Sequence, residues 1–207
     1  MALYREARAC TRCPQLAESR TQVVFGNGNA DADLMFVGEA PGAHEDRKGL
    51  PFVGRAGQLL DELLREIGLD RSQVFVANVL KSRPPGNRDP QPEEIENCKP
   101  YLWKQVELIE PRVIATLGNF ATKLLTRSNR GITQVHGKPQ ESELGGRQVL
   151  LYPLFHPAAA LRTPATKELL REDFARLPGL LARAPESKPE PEPEPEPVAA
   201  AQLDLLG

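Results

Sequence analysis

The sequence predicts an α/β protein: a three-layer α/β/α sandwich around a central, mostly parallel four-stranded sheet. Three observations carry this expectation. Short apolar runs with strand character recur along the chain, helix-patterned segments separate them, and each run is followed at once by a turn containing Gly, Pro, Asn or His. Strands joined by helices of these lengths imply right-handed crossovers, hence a parallel sheet covered on both faces.

The four predicted strands are DLMFVG (33–38), VFVANVL (74–80), RVIATLG (112–118) and QVLLYPLF (148–155). Between the first two, Leu59, Leu60, Leu63, Leu64 and Ile67 fall on one helical face, and Gly68 stops the helix. Between the second and third, Pro-Glu-Glu opens another helix in PEEIENCKPYLWKQVELIEP, with Pro100 placed to break or kink it. NFATKLLTR follows the third strand as a helix, and TKELLREDFARLPGLLARA closes the domain. Ligands of open parallel sheets bind at the carboxyl ends of the strands. The segments GEAPGAHED, NVLKSRPPGN, GN and HPAAALR, one after each strand, should therefore meet at one site.

Each of these turns carries candidate chemistry. GEAPG (Gly38, Glu39, Ala40, Pro41, Gly42) lets backbone N–H groups approach a ligand, although it lacks the Lys and Ser/Thr of a phosphate loop and equally suits a plain tight connection. Asn78 offers one donor and one acceptor, as reading the edge of a base requires. Phe52, in a Gly- and Pro-flanked loop, suits stacking on a flat ligand or packing at the edge of the core. His156, at the mouth of the sheet, can donate a hydrogen bond to a developing anion or simply start a helix.

At 207 residues, 40% apolar and 26% charged, the composition is that of a soluble globule. The charged start MALYREARACTRC does not read as a secretory leader, and no apolar run approaches the roughly 20 residues that span a bilayer. A cytoplasmic, monomeric protein is expected. In a reducing compartment, Cys10 and Cys13, two residues apart in between, read as metal-binding or catalytic rather than disulfide-bonded. Together with Cys98 they suit an iron-sulfur cluster or zinc, and spacing does not choose between these.

The net charge of -2 conceals two unlike parts. Residues 185–207 hold six acids against Lys188, leaving 22 acids and 25 bases in residues 1–184. A surplus of three is a weak pointer to nucleic acid. Residues 1–184 read as the folded domain, and 185–197, PESKPEPEPEPEP, as an extended linker reaching roughly 40 Å. The tail 198–207 is expected to be disordered, or to be a peptide carried out to a partner.

Taken together, Cys-x2-Cys near the start, GEAPGAHED, LPFVGRAGQLL, NVLK followed by RPPGNRDP, PEEIENC and FHPAAALR resemble the iron-sulfur uracil-DNA glycosylases of family 4, over residues 1 to about 182. The resemblance implies a small parallel-sheet glycosylase fold, a 4Fe-4S cluster, and hydrolytic removal of uracil from single- or double-stranded DNA. Carried over by position, Phe52 would stack on the flipped base, Asn78 would read its polar edge, and His156 would hydrogen-bond the departing pyrimidine oxygen. Gly38 to Gly42 would line the pocket. The related family 1 enzymes have a water-positioning Asp where this chain has Ala40, which leaves Glu39, Glu45 and Asp46 as the local carboxylates. Arg83, Arg88 and Arg162 are the expected phosphate contacts.

The chain departs from that pattern at one cluster ligand. Where the family has its third cysteine stands Ser82, with 15 residues between it and Cys98. A serine- or water-ligated fourth iron, a 3Fe-4S cluster and no cluster at all are the possibilities. A related group traps uracil DNA through a histidine in the loop after the second strand. SRPPGNRDP has none, which favours turnover, with a non-hydrolysing uracil-DNA or lesion-binding protein as the rival reading. Residues 202–206, QLDLL, resemble the short peptide by which bacterial repair proteins bind the sliding clamp.

Overall fold

The computed structural model describes residues 2–144 and 146–184. The predicted linker and the QLDLL peptide lie outside these residues.

Four strands form the parallel centre of the sheet: β2 (Leu34–Gly38), β3 (Val74–Asn78), β4 (Val113–Leu117) and β6 (Arg147–Leu154). Each sits within about two residues of its sequence prediction. Two antiparallel strands extend it, β1 (Asn27–Gly28) beside β3 and β5 (Gln140–Leu144) beside β6. The order is therefore β1-β3-β2-β4-β6-β5, six strands among the described residues where four were expected.

Successive residues of a strand point to opposite faces, and both faces of this sheet are covered. Leu34 and Phe36 of β2 join one apolar cluster while Met35 and Val37 join the other. The first face packs against α4 (Arg55–Glu66), α8 (Pro157–Ala160), α9 (Pro164–Ala175) and α10 (Leu177–Arg183). The second packs against α2 (Pro14–Ser19), α5 (Pro92–Ile109) and α6 (Asn119–Thr126). The three-layer sandwich is thus as expected. Short helices α1 (Ala2–Ala9), α3 (Ala43–Lys48) and α7 (Ile132–Val135) complete the chain.

On α4, Leu60, Leu63 and Leu64 have no exposed surface. Each contributes about 1.5–3 kcal/mol by burial, and truncating one to Ala would cost about 2–5 kcal/mol. The helix ends where predicted, with Gly68 in the left-handed region at φ 76°. Helix α5 runs unbroken through Pro100. Pro100 and Glu96, whose carbonyl loses its partner, are both solvent-exposed, so water satisfies that carbonyl and the break does not occur. The closing helical stretch does divide, at Arg176, because Pro178 cannot supply the N–H that continuing α9 requires.

Candidate active site

The carboxyl ends of β2, β3 and β6 converge as expected, while Gly118 and Asn119 after β4 do not line the shared cavity. Glu39, Ala40, Pro41, Gly42, Phe52, Asn78 and His156 all line one cavity of about 250 Å³. Gly38 lies directly beneath it, in register with Asn78. A Cβ on Gly38 would stand 2.4 Å from Asn78 Oδ1 and 2.7 Å from Phe52 Cζ, so only glycine lets these two side chains close over the end of β2. Pairing continues past the strands, with Val79 N–H donating to the Gly38 carbonyl and Leu80 N–H to that of Glu39, both at 2.9 Å.

Asn78 is 2% exposed, and its Oδ1 has no hydrogen-bond partner among the described residues. A buried amide oxygen without a donor costs about 1–3 kcal/mol, so it is a place where a ligand N–H belongs. Phe52 adopts φ 52°, unusual for a non-glycine residue. Arg71 Nη2 donates to its carbonyl at 2.9 Å, and Gly57 must lack a Cβ because one would stand 1.7 Å from that same oxygen. The ring is thereby held face-on to His156, with centroids 5.6 Å apart and planes inclined at 28°.

His156 caps α8, its Nδ1 accepting from Ala158 N–H at 3.1 Å. An accepting Nδ1 places the ring proton on Nε2. Burial lowers the imidazole pKa to about 4, with Glu45 pulling weakly the other way, so at neutral pH the ring is an uncharged donor.

Of the three expected local carboxylates, Glu39 and Glu45 line the cavity and Asp46 is buried away from its wall. Glu45 Oε1 accepts from the N–H groups of Val53 and Gly54, both at 2.9 Å, pinning the Phe52 loop to α3. Both oxygens of Asp46 accept from Thr21 N–H at 3.0 Å. Glu39 is the one whose carboxylate makes no hydrogen bond to any described residue. Burial, then the nearby Asp89, push its pKa up to about 7.

Residues 25–177 match the family described as the Uracil DNA glycosylase superfamily. The chain belongs to that superfamily. Type-4 uracil-DNA glycosylases resemble it over most of their length: that of Sulfurisphaera tokodaii is 45% identical over 180 residues, 84% of this chain and 81% of the relative. That of Archaeoglobus fulgidus is 46% identical over 179 residues, 84% and 89%. The type-5 uracil-DNA glycosylase of Pyrobaculum aerophilum is 28% identical over 179 residues, 72% and 78%.

Within this glycosylase fold the thiols gather in a second place. Cys10 lies between α1 and α2, Cys13 is the N-cap of α2, Ser82 follows β3 and Cys98 projects from α5, and all four line one small cavity with Lys81, Arg20, Asn97 and Tyr101. No three His, Cys, Asp or Glu side chains among the described residues are grouped to hold a single metal ion. An iron-sulfur cluster makes a different demand, since each thiolate meets its own iron and the sulfurs stand apart. The donor chemistry fits such a group: no carboxylate lines the cavity, and cations surround it. Arg12 Nε donates to Cys10 Sγ at 3.5 Å, and Arg20 Nη1 to Ser82 Oγ at 3.2 Å. The free space is about 20 Å³, so admitting a cluster requires the short side chains to turn outward about χ1. Burial raises Cys98 above its ordinary value, with Lys81 opposing; at Cys10 burial acts in the same sense, but the hydrogen bonds of Arg12 and Tyr101 outweigh it and the pKa falls.

The arginines are placed unequally. Arg162 follows α8 and is exposed. Arg83 Nε donates to Asn87 Oδ1 at 2.6 Å. Arg88 lines the base-sized cavity, yet both its terminal nitrogens hold the Glu94 carboxylate, at 2.6 and 2.9 Å, so its charge is already neutralised. Sequence reasoning brought NVLKSRPPGN to the site but did not single out its Pro84 and Asn87, which line the cavity, because a Pro- and Arg-rich loop carries no periodicity to mark them.

Proposed function

We propose that the protein hydrolyses the N-glycosidic bond of uracil in DNA, leaving an abasic site for base excision repair. The observation that carries this is the unpartnered Asn78 Oδ1, buried at the wall of a base-sized cavity that also presents a neutral His156. Uracil offers an N–H between two carbonyls, which an amide can read from one side. The base leaves the stack at a cost of a few kcal/mol, so single strands and mismatches are favoured substrates. Phe52 stacks on the flipped ring, and Asn78 accepts from its N–H. As the bond to the sugar breaks, charge accumulates on the departing pyrimidine, and the Nε2 proton of His156 stabilises it. Ala40 cannot position water. Glu39, the local carboxylate free of other duties, takes that role as a general base at its raised pKa.

Cys10, Cys13 and Cys98 would hold a 4Fe-4S cluster with Ser82 at the fourth corner, either ligating or leaving the iron to water; a 3Fe-4S cluster is the alternative occupant. The cluster would supply cross-linking of the N-terminal helices, the 79–98 segment and α5, and no step of bond cleavage runs through it. Thiolate ligands stay reduced in the cytoplasm, where we place the enzyme; among the described residues no helix is long and apolar enough to cross a membrane. We assign phosphate contacts to Arg83, Arg88 and Arg162, with Arg88 exchanging Glu94 for DNA. Residues 1–184 would act as a monomeric catalytic unit. The 185–197 segment would carry QLDLL to a sliding clamp, a role that unchanged clamp binding after deletion of 198–207 would exclude.

The deciding experiment is uracil release from an oligonucleotide holding one dU, with DNA in excess and alkali used to cut abasic sites. Many uracils released per protein are expected. Tight binding without release would replace hydrolysis by the uracil-DNA or lesion-binding reading.

A further inference from the structure

Lys81 lines the thiol cavity and its charge opposes burial at Cys98, yet its amine spends its hydrogen bonds elsewhere, one of them on the base reader. Lys81 is 2% exposed, and no carboxylate contacts it. Lysine is almost never fully buried without a charged partner, and an apolar side chain of equal length would fill the same space without the desolvation cost. Its amine must therefore do something that a methylene chain cannot. Nζ reaches back three residues to donate to the Asn78 carbonyl at 2.7 Å, and donates to Gln105 Oε1 at 2.6 Å. Gln105, itself 2% exposed, is anchored in turn by Nε2 donating to the Phe25 carbonyl at 2.9 Å. The Lys81 carbonyl accepts from Val24 N–H at 2.8 Å, so the residue is fixed at both ends. Meanwhile Oδ1 of Asn78 is unbonded, which leaves the main chain to aim that side of the side chain.

We propose that Lys81 is a positioning residue for base recognition: held by Gln105, its amine clamps the Asn78 carbonyl and so aims the Asn78 amide into the cavity. This rests on the uracil-excision reading and deepens it, by placing the determinant of selectivity partly outside the cavity. The chain from Phe25 through Gln105 and Lys81 to Asn78 couples α5 to the base reader, and its members have no need to touch DNA.

The test is a double-mutant cycle read as preference for a single strand holding 2′-fluoro-dU, whose glycosidic bond resists hydrolysis, over one holding 2′-fluoro-dC, which lacks the N–H that Asn78 reads, in equilibrium binding. That ratio does not depend on the fraction of protein folded, so a merely structural role leaves it unmoved. Lys81→Met should lower the preference about 10-fold and Gln105→Leu by less, and neither should change it further in an Asn78→Ala background. Gln105 does not line the thiol cavity, so its variant separates positioning from any effect on bound iron, and iron per protein is measured in every preparation. An equal factor in both backgrounds, no change in either, or a loss that follows iron content rather than the substitution would overturn the proposal. Uracil release by the unmodified chain is scored separately. Its absence with the coupling intact would remove the hydrolysis reading and leave the positioning role standing.

Discussion

The base cavity and the thiol cavity draw alternately on one segment, residues 78–98, and are built on opposite principles. Backbone makes the first: strand ends set Gly38 against Asn78, a left-handed Phe52 is locked by Arg71 and Gly57, and the His156 side chain in the cavity wall is uncharged. Charge makes the second, where Arg12 and Arg20 donate to the Cys10 thiol and to the Ser82 hydroxyl, with Lys81 beside Cys98. A site made by backbone is preorganised and tolerates little change within it. One held by charge is completed by its occupant, so its failure should appear in stability before chemistry.

The sharpest way to break this contrast is inside the base cavity. His156→Ala should lower kcat/KM for dU by about 100-fold to 1000-fold, the cost of losing one donor to a developing anion. It also removes the α8 cap, at about 1 kcal/mol, a fall of a few degrees in melting temperature. Full turnover in that variant would contradict an Nε2 role.

Glu39→Gln should act next most strongly, by about 100-fold. Its carboxyl has a raised pKa of about 7, so the base form is scarce below that pH and dominant above it. The wild-type kcat/KM should accordingly rise with pH through about 7 and level off, and the variant should lose that limb. A limb that survives in Glu39→Gln would transfer water activation elsewhere.

The mildest effect on chemistry belongs to the thiol side. Ser82→Cys should raise iron per protein and melting temperature while leaving the rate of uracil release within about 2-fold, since the cluster would act on the loop rather than on the bond. Unchanged iron and melting temperature would show that Ser82 is already an adequate corner.

Much of this was legible in the residues. Parallel strands buried on both faces read as continuous apolar runs, which is why β2, β3, β4 and β6 were visible, and strand-end logic alone brought Asn78, His156 and the 39–42 turn together. Strand β5 was not visible: Gln140, Glu141 and Glu143 are exposed, so the strand exists through pairing with β6 rather than through burial. Which carboxylate is free was equally hidden, because nothing in GEAPGAHED says that Glu45 and Asp46 serve distant amides of Val53, Gly54 and Thr21. A lysine in a loop after a strand reads as solvated, and only the fold places Lys81 inside.

The acidic face of β5 has a further consequence for how substrate arrives. Glu141 and Glu143 stand on one side of the sheet's outer edge, both exposed, with like charges two residues apart. Such an edge resists pairing with a neighbouring chain. Towards a polyanion the same two charges would act at a distance: at ionic strengths where the Debye length is about 10 Å or longer, they would disfavour a duplex approaching by this flank. Encounters from the carboxyl ends of the strands, where the cavity opens, would be favoured by comparison.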